Sequence, residues 1–208
     1  AVRFDLTDAG TLAADAAAQN GFGAATKLIN FFFAVINGLS SGILGFNAQN
    51  FGRGDHDRVR RGTVQTLWMM LAACALCLLA TWALTAHGTY QYIFLSADKV
   101  SARSLRLGNI YVWLDLALYF IVGFLAVTRS AVQGVGRSAY VLGAGLSELA
   151  ARVLICSLLP AAVNGGAITV NASPAAFAAL CLGDPGAWLA GSLFLLIPTV
   201  KFIFKKQA

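Results

Sequence analysis

The sequence predicts an all-α, polytopic membrane helix bundle of about five transmembrane helices. Three observations predict it. Apolar residues make up 58% of the chain and charged residues only 12%, against roughly 25% charge in an ordinary soluble domain. The mean hydropathy is +0.72. The apolar residues also gather into long runs of the length that crosses a bilayer, about 20 residues each.

The first run, Ala24 to Phe46, carries one charge, Lys27, near its start. The second, Thr63 to Ala86, has 24 residues and no Asp, Glu, Lys, Arg or His; as a helix it measures about 36 Å, enough to cross with some tilt. The third, Ile110 to Thr128, holds one acid, Asp115. The fourth, Ala139 to Val163, holds Glu148 and Arg152 and is expected to stop near Pro160. The fifth, about Gly186 to Phe204, opens after Pro185 and is followed by Lys205 and Lys206. None is a signal peptide, because the opening Ala1 to Gln19 is polar and contains acids instead of a basic region before an apolar core. Without an initiator Met, residue 1 is not expected to be a natural start.

Orientation is read from Lys and Arg. Arg53, Arg58, Arg60 and Arg61 follow the first span, Arg129 and Arg137 the third, and the lysines the fifth, while Asn164 to Pro185 has neither residue. The positive-inside rule then places the C-terminus in the cytoplasm of a multi-pass cell-membrane protein, with the bacterial inner membrane as the expected setting. The connection Tyr90 to Leu107, with Lys99, Arg103 and Arg106, dissents, and is expected to lie on the membrane surface as a short amphipathic helix. The net charge of +6 is thus a topology signal and a membrane-lipid contact, and no nucleic-acid partner is implied.

Polar side chains within the spans carry the functional information, since a charge at the bilayer centre costs roughly 2.5–3.5 kcal/mol on insertion scales. Tyr111, Asp115 and Tyr119 recur every fourth residue and share one helix face. Two readings are open for Asp115: a cation or proton site with aromatic neighbours, or a carboxylate reaching the headgroups. Glu148 and Arg152, four apart, fit an ion pair along their own helix, with a protonatable Glu148 as the alternative. Asn30, Asn37, Ser40 and Ser41 mark the first span; they line a solute path or glue helices together, and Gly38-x-x-x-Gly42 favours a close helix contact. Cys74 and Cys77 form a C-x-x-C in mid-span, where packing is the plain reading. His56 and His87 pair with no nucleophile or second ligand at a recognisable spacing, so neither an enzyme, a metal site nor a cofactor is expected.

Four collinear segments carry a resemblance. FNAQNFGRGDHDRVRRG (Phe46 to Gly62) resembles the QN-x-G-x-G-(D/K)-x-x-R signature of multidrug and toxic compound extrusion (MATE) transporters. RSAVQGVGRS (Arg129 to Ser138) with GLSELAARV (Gly145 to Val153) resembles the family's R-x-x-x-Q-G-x-G-x-S and E-x-x-x-R pattern. FLSADKVSARSLRLGNIY (Phe94 to Tyr111) and GAWLAGSLFLL (Gly186 to Leu196) resemble its intervening segment and its last helix.

The resemblance implies most of the C-terminal lobe of a two-lobed secondary antiporter that exports organic cations or other amphipathic compounds in exchange for protons or sodium. Its partners would be that small-molecule substrate, the coupling ion, membrane lipid and the N-terminal lobe of the same transporter. Gln49, Asn50, Gly52 and Arg58 fall on the signature as structural loop residues. Asn30, Asn37, Asp115, Tyr119 and Glu148 are the candidates for the transport path or ion coupling. The sodium-driven members' acid has no counterpart in Phe120 to Phe124. Two alternatives remain: a lipid-linked oligosaccharide flippase, with Arg129, Arg137 and Arg152 lining a cationic cavity, and an inactive fragment or accessory membrane subunit.

Overall fold

The computed structural model describes residues 9–86, 89–166 and 174–205. His87 and Lys206 lie outside the described residues, as does the side chain of Arg103. Every regular element among the described residues is helical: α1 (Ala9–Gly52), α2 (His56–Ala86), α3 (Thr89–Phe94), a 3-10 turn (Ala97–Lys99), α4 (Ala102–Ala117), α5 (Tyr119–Gly134), α6 (Ser138–Asn164), α7 (Pro174–Cys181), α8 (Gly183–Thr199) and a π turn (Val200–Phe204). Four stretches are long and apolar enough to cross a membrane, Gln19–Gly52, His56–Ala86, Ser138–Asn164 and Ala175–Phe204, and the bent pair Ser104–Ala117 and Tyr119–Gly134 counts as a fifth if the two form one broken span instead of a re-entrant loop. The chain is therefore a multi-pass, all-helical membrane protein.

Two features differ from the sequence expectation. The third span is broken at Leu118, whose φ of −102° and ψ of 9° depart from helix, so Tyr111 and Asp115 belong to α4 while Tyr119 opens α5. The fourth runs through Pro160 as α6, Ser138–Asn164, within one residue of the expected Ala139 to Val163 at each end. A proline costs one internal hydrogen bond, and ending a helix inside hydrocarbon would leave several polar groups unmet. The connection Tyr90 to Leu107 is not one helix: it divides into α3, the 3-10 turn and the start of α4, with Tyr90 and Gln91 buried.

The chain divides into two compact units. The first comprises Ala1–Phe32, Cys77–Ala117 and Val153–Gly183. Here α4 packs on α7, and α4 also approaches α1 closely, because a Cβ on Gly21 would strike the Ser104 carbonyl and one on Gly108 would strike Tyr90, Gln91 and the Gly21 carbonyl. Phe22 stacks on Tyr111 with ring centroids 4.7 Å apart. Ser101 and Ser104 each accept the other's amide N–H through the hydroxyl, at 2.9 and 3.1 Å, a reciprocal cap that starts α4. Gln91 is fully buried, donates to the Ser104 carbonyl at 2.9 Å and accepts from the Ser104 hydroxyl at 3.1 Å, so its amide is satisfied on both sides. Burial pushes the Tyr90 phenol up, and its hydrogen bond with Gln91 offsets part of that.

The second unit comprises Phe33–Leu76, Leu118–Arg152 and Asp184–Ala208. Gly134 brings α5 onto α1, since a Cβ there would meet the Leu44 carbonyl and Asn47. Beside that crossing the buried Asn47 side-chain amide donates to the Thr63 hydroxyl of α2 at 3.0 Å. The rings of Phe33, Tyr119 and Trp188 interlock at 5.5, 6.2 and 6.1 Å between centroids, joining α1, α5 and α8 by edge-to-face contacts. At one end Val59, Ala131, Val135 and Ile203 form a buried cluster covered by Phe51, Phe202 and Phe204.

Candidate functional site

Asp115 lies on the buried face of α4, where Ser104, Tyr111, Val112, Asp115 and Leu116 are all buried and recur at helical spacing. It is 1% exposed, in an apolar helix three residues before the break at Leu118. Tyr119 is fully buried in the second unit and belongs to the aromatic knot with Phe33 and Trp188.

Glu148 does not pair with Arg152. Its carboxylate contacts the guanidinium of Arg129 on α5, and Arg152 reaches Asp184 at the start of α8, Nη2 to Oδ1 at 2.7 Å. The i, i+4 spacing places Glu148 and Arg152 on one face, yet pairing them with each other would leave Arg129 and Asp184 without counter-charges. Two interhelical pairs neutralise all four groups. Gly191 of α8 makes room, since a Cβ there would strike the Glu148 carboxylate. Arg129 and Asp184 are thus the partners that sequence spacing missed, because contacts between helices leave no mark at short separation along the chain.

The first span separates in the same way. In the first unit Asn30 is exposed; in the second, Asn37, Gly38, Ser41, Gly42 and Gly45 are all exposed, while Ile36, Ser40 and Ile43 are buried. A Cβ on Gly38 or Gly42 would meet nothing within 4 Å. The close helix contact expected at Gly38-x-x-x-Gly42 is therefore absent among the described residues, and it is Gly21, Gly108 and Gly134 whose Cβ would strike the backbone of another helix. Gly38 and Gly42 instead edge an open pocket of about 290 Å³ shared with Phe46, Gly62, Gln65 and Met69 of the same unit.

Gln49, Asn50 and Gly52 sit in the closing turns of α1 and not in a loop; Arg58 sits in the first turn of α2. Asn50 is buried, and its side-chain amide donates to the Phe46 carbonyl at 2.7 Å. Its own carbonyl accepts from Arg53 and Asp55 amides at 3.2 and 2.9 Å. The turn closes at Gly54, whose φ of +76° suits glycine because no Cβ opposes it. Asp55 then caps α2 by accepting the Arg58 amide at 3.0 Å. The signature is thus a helix–turn–helix joint. Among the described residues no three His, Cys, Asp or Glu side chains come together to hold a metal ion.

A protein-family model, MatE, matches residues 10–159. The chain belongs to the MatE family. The match takes in α1 to α5 and most of α6, hence the joint at Asn50 to Arg58 and both Arg129 and Glu148. MatE proteins are transporters, and the long apolar helices described above are those of a membrane carrier. No curated protein and no solved structure matches the chain.

Proposed function

We propose that this MatE chain forms the C-terminal lobe of a secondary antiporter in the cell membrane, exporting organic cations or other amphipathic compounds in exchange for protons or sodium. The observation that carries this reading is the exposed face of α1 in the second unit. Asn37 and Ser41 on a spanning helix, left open beside Gly38 and Gly42, would be costly against hydrocarbon. A water-filled solute path, completed by a second lobe of the same transporter, satisfies them. Asp115 is the acid suited to ion coupling, since it can be buried in one state and wetted in another, and the C-terminus faces the cytoplasm. Glu148, engaged with Arg129, holds helices together.

A flippase for lipid-linked oligosaccharide is the weaker reading. The arginines a cationic cavity would need are already occupied: Arg129 by Glu148, Arg152 by Asp184, and Arg137 over the Phe202 ring at 4.6 Å. The test is reconstitution of the protein as encoded, with any adjoining sequence, into liposomes under an imposed proton or sodium gradient. Gradient-driven movement of a cationic dye is expected. Movement of a labelled lipid-linked sugar with no dye movement would refute the proposal.

A further inference from the structure

The turn that joins α1 to α2, the first turns of α2 and the π turn after α8 meet in the second unit, beside the Val59–Ile203 cluster. They leave a pocket of about 310 Å³ there. Its lining is of both charge signs, with the cations Arg60 and Lys205 and the carboxylate of Asp57, over the rings of Phe202 and Phe204. Asp55 is spent on capping α2. Asp57 and Arg60 hold each other only loosely, at 3.9 Å with side chains 73% and 46% exposed, a contact of little worth in itself. Both remain available to a ligand.

The level of the pocket says what it meets. Two spanning helices end here and another begins, so the pocket lies where hydrocarbon gives way to headgroups. Arg53, Arg58 and Arg61 are exposed on the same joint, and Arg137 and Lys201 lie over the Phe202 ring at 4.6 and 5.3 Å. The solute present at high concentration at that depth is phospholipid.

We propose that this pocket binds a phospholipid headgroup of the phosphoethanolamine type. Arg60 and Lys205 take the phosphate, Asp57 takes the ammonium N–H groups, and Phe202 and Phe204 cover the glycerol end of the lipid. A purely anionic headgroup gains nothing from Asp57 and is repelled by it. A quaternary ammonium is attracted to Asp57 but has no N–H to donate, which forfeits a charge-assisted hydrogen bond. The site depends on membrane insertion alone and is independent of what the protein transports.

Native mass spectrometry of the intact protein in detergent tests this, with phosphatidylethanolamine, phosphatidylcholine and phosphatidylglycerol of matched acyl chains as probes. Phosphatidylethanolamine should be retained about tenfold better than phosphatidylcholine, the worth of one charged hydrogen bond. The double variant Arg60→Gln/Lys205→Gln should lose that retention, and Asp57→Asn should bring phosphatidylethanolamine down to the phosphatidylcholine level. All three positions are exposed, and unchanged helical circular dichroism verifies that the variants fold. Equal retention of the three lipids, preference for phosphatidylglycerol, or displacement of the bound lipid by inorganic phosphate would each overturn the proposal.

Discussion

Replacing Glu148 with leucine is expected to destabilise the folded bundle by about 3 kcal/mol, because it leaves the Arg129 guanidinium in the bundle without its counter-charge. The Arg129 side chain left behind is 34% exposed, so water compensates for only part of the loss. Arg129→Leu should be damaging for the converse reason. The double variant Arg129→Leu/Glu148→Leu should recover most of the loss, since an ion pair in an apolar setting repays little beyond its own desolvation. Denaturant titration in detergent, read as a double-mutant cycle, measures this coupling. A double variant whose loss equals the sum of the two single losses would show that the pair is not the contact that matters.

Asp115→Asn should show a different profile. The substitution keeps the side chain's shape, so the helical circular dichroism should be unchanged. Gradient-driven efflux should fall to background, because asparagine cannot exchange a proton or attract a cation. Facilitated, gradient-independent movement of substrate should survive, since the solute path is not blocked. Efflux that keeps its dependence on the gradient in Asp115→Asn would remove Asp115 from the coupling role. Together the two carboxylates separate by function: losing Glu148 should weaken the fold, and losing Asp115 should weaken the coupling.

How far the sequence could be read follows from which interactions are local. All five apolar runs are helical, and four of them are unbroken helices long and apolar enough to cross a membrane, because hydrocarbon imposes helix on any segment that crosses it. The break at Leu118 was not legible: no proline or glycine marks it, and Tyr111, Asp115 and Tyr119 keep a helical spacing across it. The signature from Asn50 to Arg58 pointed to a turn, yet only the backbone shows that Asn50 closes a helix and Gly54 makes the reversal. Glu148 and Arg152 were misread because a four-residue spacing permits a pair without requiring it. Gly38 and Gly42 were misread for a related reason, since a small-residue motif allows close approach but names no partner. What the sequence did mark, through Asn30, Asn37 and Ser41, was polarity without a local use. Its direction became visible once the helix faces were known.

The most direct measurement is labelling of a cysteine placed at Ser41, in a protein whose four native cysteines are replaced by alanine, with a membrane-impermeant maleimide applied to intact vesicles. Leu146→Cys on α6, where the leucine is 60% exposed amid apolar neighbours, serves as the lipid-facing reference. If the open face of α1 borders a water-filled path, Ser41→Cys reacts, substrate slows the reaction, and Leu146→Cys stays unmodified. If Ser41→Cys is as inert as Leu146→Cys, that face is sealed by lipid or by another helix, and the transport path does not run along it.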